Sequence, residues 1–296
     1  MKKVGVIGIG NMGSGLAKNL IKNGFATSGH DIDPAKMVAF SDMGGQAANN
    51  AAEVGKFADA VFIMVMNGAQ VREVIFGEQG LLTTLKPGSA IILSATINPA
   101  EVREVGERLA DSGIHLIDTP VSGGYPGAQG GTLTLMLSAE KDVLEEFRPV
   151  LEAVSGSIHH VGTEIGMGQT VKACLQSFIG SIFSGCFEAT TLAAKAGIPG
   201  QVIYDVFTSS SAGSVITKTS LENIIDRNFE GGGSHIATMH KDLTISMDVA
   251  RDLGVPLFTA AMAMQLFQAG ITKYPEGDNW VVTRLGEEVV DAELHR

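Results

Sequence analysis

The stretch VGVIGIGNMGSGLAKNL, Val4–Leu20, decides how the first half of this 296-residue chain is read. A short apolar run from Val4 to Ile9 passes into Gly8, Gly10 and Gly13, spaced as G-x-G-x-x-G. Met12–Asn23 then continues with helical spacing and is closed by Gly24. After a strand, Gly8 permits a tight turn, Gly10 lets a ligand approach the backbone, and Gly13 lets the helix pack close to the strand. A helix N-terminus in that position faces negative charge favourably. Gly8, Gly10, Asn11, Met12 and Gly13 are therefore the candidates for holding the pyrophosphate of a dinucleotide.

The next apolar run, Ala26–Asp31, ends on GHDID. Asp31 lies where an acidic side chain would accept hydrogen bonds from ribose hydroxyls. A 2′-phosphate there would meet a carboxylate and no arginine, so NAD is expected in preference to NADP. Asp33 competes for the same role, although Pro34 behind it suggests a helix start.

Further along, Ala60–Met66, Ala90–Leu93, Ile114–Asp118 and Leu133–Leu137 read as strands, and Pro34–Met43 and Pro99–Ser112 as helices. This alternation predicts an α/β fold with a doubly wound, mostly parallel sheet covered by helices on both faces. After Gly166 the strand signal stops, and the remainder reads as helices punctuated by glycine and proline. We expect two domains, residues 1–164 for the cofactor and an all-helical 165–296 for substrate and oligomerisation.

Composition narrows the function. The formal net charge is −11 and no basic cluster appears, which argues against a nucleic-acid partner. The longest apolar stretches are broken by Gly, Ser and Gln, so no membrane span is expected. The chain begins directly on a strand, which leaves no room for a leader peptide in this reading. Cys174 and Cys186 would lie roughly 18 Å apart on one helix, beyond disulfide reach. Two unpaired thiols fit a cytoplasmic location. Seven His and two Cys sit at no zinc-ligand spacing, so no metal is expected.

Two further stretches carry chemistry. IDTPVSGGYPGAQGGTLTLML joins one strand to another through a loop with five glycines. There Ser122, Gly123 and Gly124 offer a hydroxyl and closely spaced N–H groups suited to a carboxylate. In GMGQTVKACLQSFIGSIFSGCF, Gly166–Phe187, the one charge is Lys172. An amine in an apolar setting is pushed towards neutrality, and such a group can take an alcohol's proton while hydride leaves. Gln176 follows one helical turn later and can orient the substrate.

Four stretches together, GVIGIGNMGSGLAKNL, DTPVSGG, GMGQTVKACLQ and HKDLTISMDVARDLGVPLF, resemble the β-hydroxyacid dehydrogenase family in order and spacing. That family includes 3-hydroxyisobutyrate dehydrogenase and tartronate semialdehyde reductase. The resemblance implies a Rossmann domain followed by a helical domain, with the active site in the cleft between them. It implies Lys172 as the catalytic lysine and Ser122, Gly123 and Gly124 as the carboxylate loop. It also implies cofactor contacts by Val65, Met66, Thr96 and Lys241. Read without the resemblance, Thr96 would be a helix N-cap and Lys241 a solvated helix residue.

Gln176 and Leu175 replace asparagines usual in the family, and Val65-Met66 replaces Leu-Pro. With Asn67 and Gln70, these departures look more like the L-threonate dehydrogenase subgroup. The expected activity is NAD-dependent interconversion of a short hydroxy acid, 3-hydroxyisobutyrate-like, and its oxo acid or semialdehyde. L-threonate dehydrogenase or tartronate semialdehyde reductase activity is the alternative, and an NAD-sensing binding protein the non-enzymatic one. Imine reductases generally lack the lysine, and 6-phosphogluconate dehydrogenase has a much longer helical domain. The apolar segments SIFSGCFEATTLAA and LFTAAMAMQLFQAG suggest a homo-oligomer, dimer or tetramer.

Overall fold

A computed structural model describes residues 2–296. It divides into two compact units, one ending at Lys172 and the other beginning at Ala173.

The first unit runs β1 (Val4–Ile7), α1 (Asn11–Lys22), β2 (Thr27–His30), α2 (Pro34–Asp42), β3 (Gln46–Ala47), α3 (Ala51–Phe57), β4 (Ala60–Ile63), α4 (Gly68–Phe76), β5 (Ala90–Leu93), α5 (Pro99–Leu109) and β6 (His115–Asp118). It continues with β7 (Val121–Ser122), α6 (Gly124–Gly130), β8 (Leu133–Ser138), α7 (Lys141–Glu152) and β9 (Ser155–Gly162), then enters α8 (Met167–Lys195). The sheet order is β3-β2-β1-β4-β5-β6-β8-β7, with β9 also on β8. Pairs from β3 to β6 are parallel; β8 runs antiparallel to β6 and β7, and β9 is parallel to β8.

The central strands form because helices cover both of their faces. β1, β4 and β5 are buried at every position, as such strands must be. Alternate residues feed opposite cores: Val4, Val6, Phe62 and Ile92 enter one, and Ile7, Ile63, Ile91 and Leu93 the other. Helix α1 buries Leu16, Ala17 and Leu20 in the first core, while Val102 and Val105 of α5 serve the second. The mostly parallel, doubly covered sheet is the expected architecture. Two expectations are corrected. The segment after Asp118 is no simple glycine loop: it forms β7 and then helix α6 before reaching β8. An extra strand, β9, lies on β8 where none was expected.

The second unit holds the rest of α8, then α9 (Gly200–Ser209), α10 (Val215–Ile225), α11 (Ile236–Asp252), α12 (Phe258–Lys273) and α13 (Thr283–Val290). Its core forms around three rings: Phe183 and Phe187 stack at 5.8 Å between centroids, and Phe267 packs against them at 5.7 and 6.1 Å. Leu221, Ile224, Ile236, Leu243 and Trp280 complete it. Helix α8 has 29 residues, about 43 Å of rise. Its inward-facing residues, Phe183, Phe187 and Ala193 among them, are used by packing, which offsets the marginal stability of an isolated helix. The division between the units falls within α8, between Lys172 and Ala173. No helix among the described residues is long and apolar enough to cross a membrane.

Candidate active site

In the first unit the glycine turn, Asp31, Val65–Met66 and Thr96 follow the C-terminal ends of the parallel strands β1, β2, β4 and β5. The chain winds outward from β1 through β2 to β3 and then returns to the other side of β1 as β4. The glycine turn after β1 and Val65–Met66 after β4 flank this reversal of direction, where open α/β sheets take ligands. Gly8 has φ +86°, and a Cβ on it would lie 2.3 Å from the Met64 carbonyl oxygen. A Cβ on Gly13 would lie 1.8 Å from the Gly8 carbonyl oxygen. A Cβ on Gly10 would meet nothing within 4 Å. Two of the glycines are thus demanded by the fold itself, and the middle one leaves open space.

The local chemistry fits a dinucleotide. Gly10 caps α1 with no side-chain hydrogen bond, and its first turn holds no acidic residue. The first N–H groups of that helix and its positive end therefore face outward for an anion. Asp31 braces the turn: its Oδ2 accepts from the Ile9 N–H at 2.7 Å and its Oδ1 from the Asp33 N–H at 2.9 Å. Lys36 stands 3.7 Å from Asp31 Oδ1. Asp33 instead caps α2 by accepting from the Ala35 N–H.

Val65 is half-buried and Met66 is 53% exposed. The MNGAQV variation has a local purpose. Asn67 caps α4 by accepting from the Gln70 N–H, and Gln70 Oε1 accepts from the Met66 N–H at 2.8 Å. Thr96 does not cap a helix; Asn98 does so for α5, in a capping box with Glu101. Ser122 is half-buried at the end of β7, and Gly123 and Gly124 follow with φ of +128° and +57°.

Lys172 is only 6% exposed, in the second turn of α8. The start of that helix is held by Asp118, Ser138 and Gln169, none of them singled out by the sequence. Asp118, the last residue of β6, accepts through Oδ2 from the Gly166 N–H at 3.0 Å and the Ser138 hydroxyl at 3.0 Å. The Gly168 N–H donates to Ser138 Oγ at 3.2 Å. Gln169 donates through Nε2 to Asp118 Oδ1 at 3.1 Å. Asp118 and Gln169 lie inside stretches already quoted, DTPVSGG and GMGQ, but no spacing rule marks a buried polar pair.

Burial lifts the Asp118 carboxyl to about 6, against the pull of hydrogen bonds from Ser138 and Gln169. This lies above its ordinary value of 3.8, so the native chain holds that proton more tightly than the unfolded one. The group's contribution to stability is full below the unfolded value and is lost as pH rises through about 6. Carbon NMR of the Asp118 carboxyl is expected to titrate near 6; a midpoint at or below its ordinary 3.8 would show that the hydrogen bonds outweigh burial.

In the second unit, Gln176 is buried and donates through Nε2 to Oδ2 of Asp242 on α11. Asp242 Oδ1 also lies 2.9 Å from Lys241 Nζ. Lys241 is therefore no freely solvated helix residue. Because a carboxylate only accepts, Asp242 fixes which way the Gln176 amide faces, leaving Oε1 as its remaining hydrogen-bonding atom. Among the described residues, no group of three or more His, Cys, Asp or Glu could hold a metal ion.

Comparison with known proteins also divides the chain in two, close to the start of α8. Residues 3–162 match the model of the NAD-binding domain of 6-phosphogluconate dehydrogenase. Residues 166–285 match the model described as NAD-binding of NADP-dependent 3-hydroxyisobutyrate dehydrogenase. An L-threonate dehydrogenase of Escherichia coli (strain K12) is 35% identical over 284 residues, 95% of this chain and 94% of that one. A 2-(hydroxymethyl)glutarate dehydrogenase of Eubacterium barkeri is 33% identical, covering 90% and 89%. A crystal structure of 3-hydroxyisobutyrate dehydrogenase from Salmonella typhimurium superposes with a TM-score of 0.88 at 33% identity, covering 96% and 99%. With a glycine turn suited to a dinucleotide, a buried lysine, two matching family models and hydroxy-acid dehydrogenases among its whole-length relatives, the chain belongs to the 3-hydroxyisobutyrate dehydrogenase-like family of β-hydroxyacid dehydrogenases.

Proposed function

We propose that the chain oxidises a short hydroxy acid with NAD, using Lys172 as general base, and runs the reverse reaction with protonated Lys172 as acid. The observation that carries this reading is the burial of that one amine, 6% exposed, in the second turn of α8. A bound nicotinamide supplies the hydride acceptor. The remaining work falls to side chains and backbone. Ser122 and the N–H groups of Gly123 and Gly124 hold the substrate carboxylate. Lys172 exchanges the hydroxyl proton while the carbon–hydrogen bond is broken. Val65, Met66, Thr96 and Lys241 are assigned to the cofactor, with the α1 N-terminus on its pyrophosphate.

Asp31 supports NAD over NADP, because a 2′-phosphate would add charge beside a carboxylate already braced by two backbone N–H groups. Gln176 favours a substrate that carries a further hydroxyl, L-threonate rather than 3-hydroxyisobutyrate. Its Nε2 is committed to Asp242, so Oε1 is the atom available to accept from such a hydroxyl. Absorbance at the NADH band, with NAD or NADP and a panel of hydroxy acids, tests both points. Turnover is expected with NAD and highest on L-threonate. Tight dinucleotide binding without turnover on any acid would return the sensing role.

Exposed Phe178, Leu192, Phe258, Met262 and Val289 support self-association into a dimer or tetramer. Light scattering at the mass of a single chain would refute that. Two free cysteines, Cys174 exposed and Cys186 buried, accord with a cytoplasmic enzyme.

A further inference from the structure

Gln169 is 1% exposed and every polar atom of its side chain is engaged. Nε2 donates to the Ala95 carbonyl oxygen at 3.0 Å and to Asp118 Oδ1 at 3.1 Å. Oε1 accepts from the Ile97 N–H at 3.2 Å. The carboxamide thus pairs with the carbonyl before Thr96 and the N–H after it, as a neighbouring strand's peptide would. The main chain of the same residue belongs to the first turn of α8, one turn ahead of Lys172. That turn is anchored in its own right, since the Gly166 N–H donates to Asp118 and the Gly168 N–H to Ser138.

We propose that Gln169 is a positioning residue for hydride transfer. Its carboxamide splints the Ala95–Ile97 turn to the start of α8, so that Thr96 and Lys172 keep a fixed separation. This rests on the roles proposed above for those two residues. The physical need is clear. Buried peptide groups must be paired, and at the Ala95 carbonyl oxygen and the Ile97 N–H the pairing is with the Gln169 carboxamide. A side chain from α8 supplies the pairing, so any rotation of the helix start moves the Thr96 turn with it. Proton transfer and hydride transfer each depend on sub-ångström placement, and the two placements share this one amide. Asp118 selects the productive amide orientation, because its carboxylate accepts only from the NH₂ end.

The test is Gln169→Met, which keeps length and volume but removes all three hydrogen bonds. Two readouts are taken well below the melting temperature. Turnover on the best hydroxy acid is expected to fall at least tenfold while the dinucleotide dissociation constant rises. Hydrogen exchange at the Ile97 amide is expected to quicken at least tenfold, with amides of β5 such as Ile91 and Ile92 unchanged. A purely structural glutamine would lower the melting temperature and leave turnover per folded molecule intact, and that result overturns the proposal. Unchanged exchange at Ile97 overturns it too. If Q169M does not fold, Gln169→Asn retracts the same carboxamide by one methylene and is read in the same way. Failure of the underlying assignment is separable: it would appear as normal turnover in a Lys172 variant, whatever Q169M does.

Discussion

Replacing Lys172 with alanine is expected to lower turnover by about 10²- to 10⁴-fold while dinucleotide binding stays within a few-fold of the native value. The amine is 6% exposed, and the residues around it on α8 are apolar or neutral, so water has little access to take over the proton. In the oxidation direction the substrate oxygen must shed its proton as hydride departs, and without a base the charge would build up on an alkoxide. Truncation also removes buried methylenes, so a stability control is needed. Lys172→Met fills the same space and should fold as well as the native chain, yet be as inactive as K172A. Lys172→Arg retains charge but not function, since a guanidinium does not give up its proton in this pH range. Near-normal turnover in K172M, with substrate deuterium on the reacting carbon slowing it so that hydride transfer is the step being read, would remove Lys172 from the mechanism.

Which parts of this molecule were legible in the sequence follows from how each part is stabilised. β1, β4 and β5 announce themselves because both faces are buried and nearly every residue is apolar. β9 does not, since most of its residues are exposed or half-buried and its register on β8 is broken by two irregularities. Helix α6 was hidden for a different reason. Its sequence GYPGAQG has three glycines and a proline in seven residues, so local propensity argues against a helix. It forms because α1 lies against it. Asn19, buried in α1, donates to the Ala128 carbonyl oxygen at 2.8 Å, and Gly15 admits that backbone so closely that a Cβ would lie 2.5 Å from the Ala128 carbonyl carbon. That is tertiary information, absent from any window of sequence.

The site divides in the same way. Lys172 was conspicuous as a lone charge in an apolar stretch, and its burial agrees with that reading. Asp118, Gln169 and Asp242 were not conspicuous, because polar residues look alike in sequence whether they are solvated or buried and paired. Asn67 and Gln70, read as marks of the L-threonate dehydrogenase subgroup, also have a local role that spacing did not announce: Asn67 caps α4 and Gln70 accepts from the Met66 N–H. The glycine turn is the one motif where spacing alone carried the geometry, since two of its three members are fixed by close backbone, Gly13 by the Gly8 carbonyl and Gly8 by the Met64 carbonyl and its own positive φ.

That asymmetry within the turn yields a separation of fold from function. Gly13→Ala is expected to unfold or severely destabilise the first unit, because its Cβ would sit 1.8 Å from the Gly8 carbonyl oxygen. Both partners are backbone, so no side chain can yield; β1 and α1 must part, at the cost of about 1–3 kcal/mol or more of overpacking strain. Gly10→Ala has no such conflict. Its Cβ meets nothing within 4 Å, and its φ of −75° suits any L-residue. The melting temperature of G10A should therefore match the native protein within a degree or two. Dinucleotide affinity should nevertheless fall about tenfold or more, equivalent to about 1.4 kcal/mol, because the added methyl occupies the approach to the α1 N-terminus. Differential scanning fluorimetry with and without NAD reads both quantities at once. Native-like melting with a clearly reduced ligand-induced rise is the result that assigns Gly10 to the ligand and Gly13 to the fold. If G10A kept its full NAD-dependent rise, the pyrophosphate would have to lie elsewhere on the sheet, and the assignment of Asn11 and Met12 would fall with it.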